Sequence, residues 1–325
     1  MAFLSKEKLN IINEEAFPTA IEEITRELNA CGQVGEFMGC KQIRLHYKYF
    51  LVKNCRGSIV IVHGLSEFTE KFYELTYYLM QQGYNVFVYD QRGHGNSQRM
   101  TQKRDLLHID CFEDYVKDLD CFIDTVVTPI SDVPLYLYAH SMGGGVAALY
   151  LSKHGNKIKK AVLSAPMFRP IVKNVNPTVA RWGVKTAMVF VGKKRQFPLS
   201  HEFNPEAKYK PEFDDSRTRF EHYMTLRRNN ENYQTTPMSF GWVCASLDLL
   251  SRVLSRRVVK RITTPILLLS GDRDRVVELE PQYKFAQKCE TCCLKRFPNA
   301  THSLLTSCES LMQEILQSVL AFYES

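Results

Sequence analysis

Five short apolar runs separated by helical sequence constrain the fold of this 325-residue chain more than any other feature. The runs lie at 58–62, 85–89, 135–138, 160–164 and 265–269. They are apolar almost throughout, which is typical of strands covered on both faces, as in parallel sheets. Helical spacing of apolar residues separates them at 73–82, 112–126 and 145–152. This alternation predicts an α/β fold with a mostly parallel sheet, to which 43–51 and 293–297 add two more strands.

The alternation of strands and helices stops between Met167 and Arg261. These 95 residues are mostly helical, basic and aromatic in character, and they contain no convincing buried-strand pattern. We therefore expect an insertion at 167–261 that divides one α/β core into two parts, 35–166 and 262–325. The polar, helix-prone start of the chain predicts a helical extension at 1–34.

The sequence contains no segment with the character of a secretory signal or a membrane span. Lys6 follows the start closely, and no apolar stretch of signal-peptide length comes after it. The longest uncharged stretch, 133–152, contains a proline, a histidine and three consecutive glycines, so we interpret it as a buried strand, turn and helix. The ten cysteines are too few for a disulfide scaffold, and the CxxC at 289–292 has no partner at zinc spacing. We expect reduced thiols, a cytoplasmic protein and no metal.

A serine follows one of the apolar runs and precedes a helix rich in small residues. Ser141 lies within Leu-Tyr-Ala-His-Ser-Met-Gly-Gly at 137–144. This pattern resembles the nucleophile elbow, in which a strained strand-to-helix turn exposes the serine and needs small neighbours on both sides. Ala139 stands where the G-x-S-x-G pattern has its first glycine, a change of one methyl group. The alternative is a serine that only caps a helix in a glycine-rich turn.

A second turn with a glycine, His63-Gly64-Leu65, follows the apolar run at 58–62. The α/β-hydrolase fold places one oxyanion donor at this point, and the other is the N–H that follows the nucleophile. We therefore predict the backbone N–H groups of Leu65 and Met142 as the oxyanion hole. Removing one such donor typically costs roughly 2.7 to 4 kcal/mol, so this turn matters as much as the catalytic side chains.

The base and the acid of this fold follow the serine in the order Ser, Asp or Glu, His. The histidines beyond Ser141 are His154, His201, His222 and His302. His302 follows the last strand through a Pro-Asn turn, and we predict it as the base. The strand at 265–269 leads into Gly-Asp-Arg-Asp at 271–274. Its G-x-x-D pattern favours Asp274 as the acid that orients the histidine, with Asp272 as the alternative.

The segment Asp-Gln-Arg-Gly-His-Gly-Asn-Ser at 90–97 resembles a D-x-R-G-H-G-x-S motif that recurs in the same superfamily. Arg92 and His94 of this segment are residue types that often take part in catalysis. We interpret the segment instead as architecture, because two glycines around a turn with an internal Asp and Arg are suited to bracing the loop beneath the site.

Together these motifs resemble the lysophospholipase and monoacylglycerol lipase branch of the α/β-hydrolases, over roughly residues 40–325. The stretch 233–242 is similar to the cap segment of bacterial lysophospholipases. The resemblance implies an α/β-hydrolase fold with helices on both faces of the sheet and a helical cap. It also implies ester hydrolysis through an acyl-Ser141 intermediate, with water activated by His302 and no cofactor.

The same residues argue against several other functional classes. Haloalkane dehalogenases and epoxide hydrolases have Asp at the position of Ser141, and related peptidases read a peptide N-terminus through acidic cap residues, whereas 167–261 is basic. A carboxylesterase or acyltransferase acting on small esters remains an alternative. A non-catalytic binding protein is disfavoured because Ser141, Asp274 and His302 are all present in the right order. The oligomeric state is left open.

The positive charge of the chain is concentrated in the expected cap. The formal net charge is +7, but 167–261 holds 18 Lys and Arg against 8 Asp and Glu, a net charge of +10, and the rest of the chain carries −3. The apolar run 179–191 lies in the same segment. An apolar face with a cationic rim suits a phosphate-bearing amphiphile or an anionic lipid surface, although lysines also simply solvate a helical cap.

From this charge distribution we expect a lipid ester substrate and peripheral contact with an anionic membrane, at its inner surface, through the basic cap. We also expect the cap to favour lysophospholipids over neutral monoglycerides. Nucleic acid is not expected as a partner, because no recognition motif accompanies the charge.

Overall fold

The computed structural model describes residues 9–171, 177–210 and 215–325. Its sheet contains β1 (Gln33–Met38), β2 (Arg44–Phe50), β3 (Gly57–Val62), β4 (Tyr84–Tyr89), β5 (Leu135–His140), β6 (Lys160–Ser164), β7 (Ile266–Gly271) and β8 (Cys292–Phe297). The spatial order is β1-β2-β4-β3-β5-β6-β7-β8. β2 is antiparallel to both β1 and β4, whereas all other neighbours are parallel. The sheet confirms the predicted α/β class of fold.

The five apolar runs form β3, β4, β5, β6 and β7, which are neighbours in the middle of this sheet. Almost all of their residues are buried. Successive side chains of a strand point to opposite faces. In β3, Ile59 and Ile61 belong to the hydrophobic cluster on one face, and Val60 and Val62 to the cluster on the other. The uninterrupted apolar sequence is therefore the result of burial on both sides.

β1 is the strand that the sequence pattern does not predict. It lies at the edge of the sheet, and Phe37 is its one buried residue. Gly35 lies so close to the ring of Tyr47 that a Cβ atom there would collide with it. An edge strand with one buried side chain produces no apolar run, so periodicity gives no signal. The expected end of the helical extension, at residue 34, falls inside β1.

Helices cover both faces of the sheet. On one face lie α3 (Glu113–Phe122), a π-helical turn (Ile123–Val127), α4 (Thr128–Ile130), α5 (Met142–His154) and α10 (Leu279–Lys288). On the other lie α1 (Phe17–Cys31), α2 (Tyr73–Gln81) and α11 (Glu309–Glu324). α1 lies within 1–34, the segment for which the sequence predicts a helical extension; residues 1–8 of that segment lie outside the described residues.

Between β6 and β7 the described residues form helices that lie outside the sheet. They are α6 (Pro177–Val191), α7 (Arg217–Asn229), α8 (Phe240–Val253) and α9 (Arg256–Val259). α6 packs on α8 through Val184, Phe240 and Leu247. α8 in turn packs on α5, where Leu249 lies against Gly145. We call residues 167–261 the cap; its parts at 172–176 and 211–214 lie outside the described residues.

Candidate active site

Ser141 occupies the turn between the end of β5 and the first residue of α5. Its backbone has φ 52° and ψ −117°, a conformation that residues with a side chain rarely adopt. The turn is held at both ends, since the N–H of Ser141 donates to the carbonyl of Ser164 (3.0 Å) and its carbonyl accepts from the N–H of Met167 (2.8 Å). The backbone therefore has the strained strand-to-helix geometry that the sequence pattern predicts.

The three glycines after Met142 allow α5 to begin directly against the sheet. A Cβ atom on Gly143 would overlap the carbonyl oxygen of Val62 at the end of β3. On Gly144 it would lie 2.5 Å from Cβ of Pro166, and on Gly145 2.7 Å from Cδ2 of Leu249. Backbone and side chains on three sides leave no room for a methyl group, which explains the Gly-Gly-Gly sequence.

His302 links the serine to a carboxylate. It lies in the loop after β8, with Nε2 2.8 Å from Oγ of Ser141 and Nδ1 2.7 Å from Oδ2 of Asp274. Both His302 and Ser141 are buried, and the Asp274 side chain is fully buried. The structure thus brings together the three residues predicted as nucleophile, base and acid.

The neighbouring carboxylate, Asp272, points away from this site. It forms a bidentate ion pair with Arg296 (2.8 and 2.9 Å) and accepts a hydrogen bond from the hydroxyl of Tyr283 (3.2 Å). The other oxygen of Asp274 accepts from the N–H groups of Val276 (2.8 Å) and Val277 (3.0 Å). Of the two acids that the sequence left open, Asp274 is the one that contacts the histidine.

The remaining histidines beyond the serine lie elsewhere. His154 pairs with Asp120, His222 packs against the ring of Phe17, and His201 is exposed. A second serine and histidine do touch, because Nδ1 of His108 lies 2.8 Å from Oγ of Ser239. Ser239 is completely buried, however, and its hydroxyl accepts from the N–H of Trp242 in the first turn of α8. That pair ties the cap to the core and offers no access to a substrate.

The predicted oxyanion turn passes directly beside the nucleophile. A Cβ atom on Gly64 would lie 2.9 Å from Cβ of Ser141. The N–H of Leu65 donates to no acceptor among the described residues, and that of Met142 is in the first turn of α5, where helix geometry supplies no acceptor. Both predicted donors are thus available near the serine hydroxyl.

A buried polar cluster that the sequence analysis missed supports this turn. Glu67 accepts a hydrogen bond from the N–H of Gly64 (2.5 Å), pairs with Lys71, and lies 2.9 Å from Nδ1 of His140. Nε2 of His140 in turn lies 3.3 Å from the carbonyl oxygen of His302. Burial by itself raises the pKa of Glu67, but His140 and Lys71 together bring it well below its usual value. The signal available in the sequence was a glutamate four residues after His63.

The segment 90–97 braces the loops beneath the site, as interpreted from its sequence. The carboxylate of Asp90 accepts hydrogen bonds from Thr69 and from the N–H of Asn96. Burial raises the pKa of Asp90, but the contact with His46 and the neighbouring donors outweigh it and bring the pKa down to about 2. A Cβ atom on Gly95 would collide with this carboxylate. The N–H of Gln91 donates to Nε2 of His63 (2.8 Å), directly before the oxyanion turn.

Within residues 9–171, 177–210 and 215–325, no cluster of three or more His, Cys, Asp or Glu side chains is arranged to bind a metal ion. In the same ranges, no helix is both long and apolar enough to cross a bilayer. All ten cysteines are free thiols.

The mostly parallel sheet, the strained turn at Ser141 and the histidine hydrogen-bonded to its hydroxyl together define an α/β-hydrolase in which Ser141 is the candidate nucleophile. Within this class, the chain belongs to the family described as serine aminopeptidase, S33, whose model matches residues 53–309.

Individual proteins similar to this chain have names that differ from the family's description. The chain is 28% identical over 284 residues to the probable lysophospholipase L2 of Haemophilus influenzae, covering 86% of this chain and 88% of that protein. It is 26% identical over 273 residues to the monoglyceride lipase of Mus musculus, covering 81% of each. A soluble variant of the monoglyceride lipase of Saccharomyces cerevisiae, solved with a substrate analog, matches with a TM-score of 0.69 and 18% identity over 89% of this chain and 94% of that one. This last likeness shows the shared fold.

Proposed function

We propose that the chain is a serine hydrolase that cleaves the carboxylic ester of a single-chain lipid, a lysophospholipid or a monoglyceride. The observation that carries the proposal is the hydrogen-bonded series Asp274, His302 and Ser141 beside the unpaired N–H groups of Leu65 and Met142. Similarity to proteins named lysophospholipase and monoglyceride lipase supports the substrate class.

In the proposed reaction the hydroxyl oxygen of Ser141 attacks the ester carbonyl carbon while Nε2 of His302 accepts its proton. The N–H groups of Leu65 and Met142 stabilise the oxyanion. The tetrahedral intermediate then breaks its bond to the alcohol, which leaves with the proton from His302, and acyl-Ser141 remains. Water deprotonated by His302 attacks the acyl carbon. The bond between that carbon and the oxygen of Ser141 then breaks, the serine oxygen takes the proton back from His302, and the fatty acid is released. Asp274 keeps the proton on Nδ1 of His302 throughout.

A substrate panel tests this function directly. We expect the purified chain to hydrolyse lysophosphatidylcholine and monoolein, with kcat/KM rising along a series of p-nitrophenyl esters of increasing acyl length. Cleavage of the short esters alone would support a general carboxylesterase, and transfer to an added alcohol would support an acyltransferase. Cleavage of an alanyl p-nitroanilide would favour the peptidase activity in the family's description. A chain that a fluorophosphonate probe does not label would be a binding protein instead.

The burial of His302 determines the expected pH dependence. Desolvation lowers the pKa of His302 from 6.5, and the Asp274 carboxylate opposes part of that shift. Because His302 must be neutral to accept the serine proton, kcat/KM on an uncharged ester is expected to fall in acid with a midpoint below pH 6.5. A profile measured over the acid range checks this, and a midpoint above the ordinary histidine pKa would contradict it.

We also propose that the cap contacts an anionic membrane, at the cytoplasmic face. α6 has two apolar faces: Val184 packs on α8, whereas Val179, Trp182, Val189 and Phe190 are between 64% and 83% exposed on the opposite face. Lys194 and Arg195 follow this helix in the sequence, and Arg256 and Arg257 lie in α9, the helix after α8; all four are exposed and have no side-chain hydrogen bond or ion pair with the described residues. An exposed apolar stripe with nearby cations suits the interfacial region of an anionic bilayer.

A test of this contact reverses the charge of cations that are exposed and that do not hold other residues in place. Arg227 is buried and bonded to the carbonyl of Tyr233, and Lys193 pairs with Asp110, so neither serves. We expect the double changes Lys194→Glu with Arg195→Glu, and Arg256→Glu with Arg257→Glu, to weaken binding to phosphatidylglycerol vesicles roughly tenfold or more. Activity on a lysophospholipid should fall more than activity on monoolein.

The control carries the same charge change outside the cap. Arg26→Glu with Lys53→Glu alters two exposed cations on α1 and in the turn after β2. If this control weakens vesicle binding as much as the cap variants do, net charge explains the effect. Equal losses on the two lipid substrates would contradict the preference for lysophospholipids.

A further inference from the structure

Residues 12–17, which lead into α1, lie against the first turn of the cap helix α7, and we call them the N-terminal segment. The carboxylate of Glu14 accepts hydrogen bonds from the hydroxyl of Ser216 (2.6 Å) and from the N–H of Thr218 (2.8 Å). Ser216 is the N-cap of α7, and its hydroxyl oxygen accepts from the N–H of Arg219. Glu14 therefore completes the capping of a helix whose N-cap residue, Ser216, is 202 residues away in the sequence.

The contacts of Arg219 extend this junction into the core. Its guanidinium forms a bidentate pair with Glu74 of α2 (2.6 and 3.0 Å), donates to the carbonyl of Ile12 (2.8 Å) and stacks over the ring of Phe17. Both Arg219 and Glu74 are buried. The N-terminal segment, α2 and α7 are thus joined by charged groups that are costly to separate.

The other side of the α7 N-terminus holds the loop that carries His302. The N–H of Ser216 donates to the carbonyl of Thr306 (2.7 Å), and the hydroxyl of Thr301 donates to the carboxylate of Asp215 (2.7 Å). These two contacts lie on either side of His302 in the sequence. Any displacement of the first turn of α7 is therefore transmitted to the base.

The same helix also contacts the oxyanion turn. The hydroxyl of Tyr223 in α7 donates to the carbonyl of Ser66 (2.9 Å), and Ser66 has a φ of 61°, outside the range that serine prefers. Leu65, a predicted oxyanion donor, is its immediate neighbour. α7 consequently reaches both the base loop and the oxyanion turn, while Glu14 and Arg219 fix α7.

We infer that Glu14 is a positioning residue for the active site: by capping α7 it holds the His302 loop and the oxyanion turn in their catalytic arrangement. The inference rests on the proposed function, because the two loops matter to the rate only if they carry the base and the oxyanion donors. It assigns the N-terminal segment the role of a strap that supports catalysis. Burial raises the pKa of Glu14, but its contacts with Ser216, Thr218 and Arg219 leave it below the usual value, as expected for a carboxylate that acts as an acceptor here.

The test compares Glu14→Ala with Glu15→Ala in the full-length chain. Glu15 is the adjacent, exposed glutamate and forms no ion pair or hydrogen bond with the described residues. We expect Glu14→Ala to lower kcat on a p-nitrophenyl ester about tenfold with little change in KM, since small misplacements of catalytic groups cost rate more than binding. Glu14→Gln, which retains one acceptor oxygen, should give an intermediate loss, and Glu15→Ala none.

Hydrogen exchange and thermal unfolding separate positioning from general destabilisation. We expect faster amide exchange at 299–307 and 64–68 in Glu14→Ala, while exchange in the central strands and the unfolding midpoint stay near those of Glu15→Ala. Equal kcat values for the two variants, or a loss that merely follows the unfolded fraction, would overturn the inference. An inactive wild type would refute the proposed function instead, and the exchange comparison would still show whether Glu14 orders the two loops.

Discussion

Ser141→Ala is expected to lower kcat on ester substrates about a million-fold, because the nucleophile and its base act as one unit in this kind of site. Among the described residues, the Ser141 hydroxyl is hydrogen-bonded to Nε2 of His302. The hydrogen bonds that hold the turn are made by the backbone of Ser141, so they do not depend on its side chain. The unfolding midpoint should therefore remain close to that of the wild type. Loss of covalent labelling by a fluorophosphonate, measured beside hydrolysis, checks the prediction.

Ser239→Ala is the matched control for this experiment. Ser239 also touches a histidine, but it is buried and contributes to capping α8. Its replacement should cost about 1 kcal/mol of stability through the lost cap and leave labelling intact. A folded Ser239→Ala variant that is no longer labelled, or a Ser141→Ala variant that still is, would show that the nucleophile has been misassigned.

The close approach of Ser141, His302 and Asp274, the proposed nucleophile, base and acid, could be anticipated from the sequence because this fold brings such residues from distant turns in a fixed order. Ser141 follows an apolar strand and His302 follows the last one, so each lies at the carboxyl edge of the parallel sheet. The G-x-x-D pattern favoured Asp274 over Asp272 without explaining why the two carboxylates differ. The difference depends on which side chain finds a cation, and the partner of Asp272 is Arg296 on the neighbouring strand.

Features that depend on pairing between distant residues gave no readable pattern. The contact of Glu67 with His140 joins residues 73 positions apart. The contact of Glu14 with Ser216 spans still more of the chain. β1 has no readable pattern for a different reason: it pairs with the next strand along the chain, but only one of its residues is buried. The charge count shows that 167–261 is the basic part of the chain. It could not show that two of its arginines, Arg219 and Arg227, are buried.

The cap therefore has two parts with different physical roles. α7 is attached to the core by the buried ion pair of Arg219 with Glu74 and by hydrogen bonds to the loops of the candidate active site. α6 is held mainly by its small apolar contact with α8 and by the pairing of Arg181 with Asp248, and its outer face is exposed. Since the strongly attached helix touches the base loop, movement that admits a lipid is expected at α6, with α7 kept in place.

Asp274→Asn is expected to lower kcat about ten-thousand-fold, through the tautomer of the histidine and with little change in structure. One oxygen of Asp274 accepts two backbone N–H groups, from Val276 and Val277. In the asparagine variant the amide oxygen would keep these donors, so its NH₂ group would face Nδ1 of His302. Nδ1 must then accept a hydrogen bond, the ring proton moves to Nε2, and Nε2 can no longer take the proton of Ser141.

Asp272→Asn provides a control of the same chemistry two residues away. It weakens a solvent-screened ion pair with the exposed Arg296 and touches neither His302 nor Ser141. Its kcat should stay close to that of the wild type, measured on the same p-nitrophenyl ester. If the two asparagine variants lost activity equally, the loop after β7 as a whole would matter to the rate, and the tautomer argument for Asp274 would fail. A large loss in Asp274→Asn alone would identify this carboxylate as the group that sets the protonation of the base.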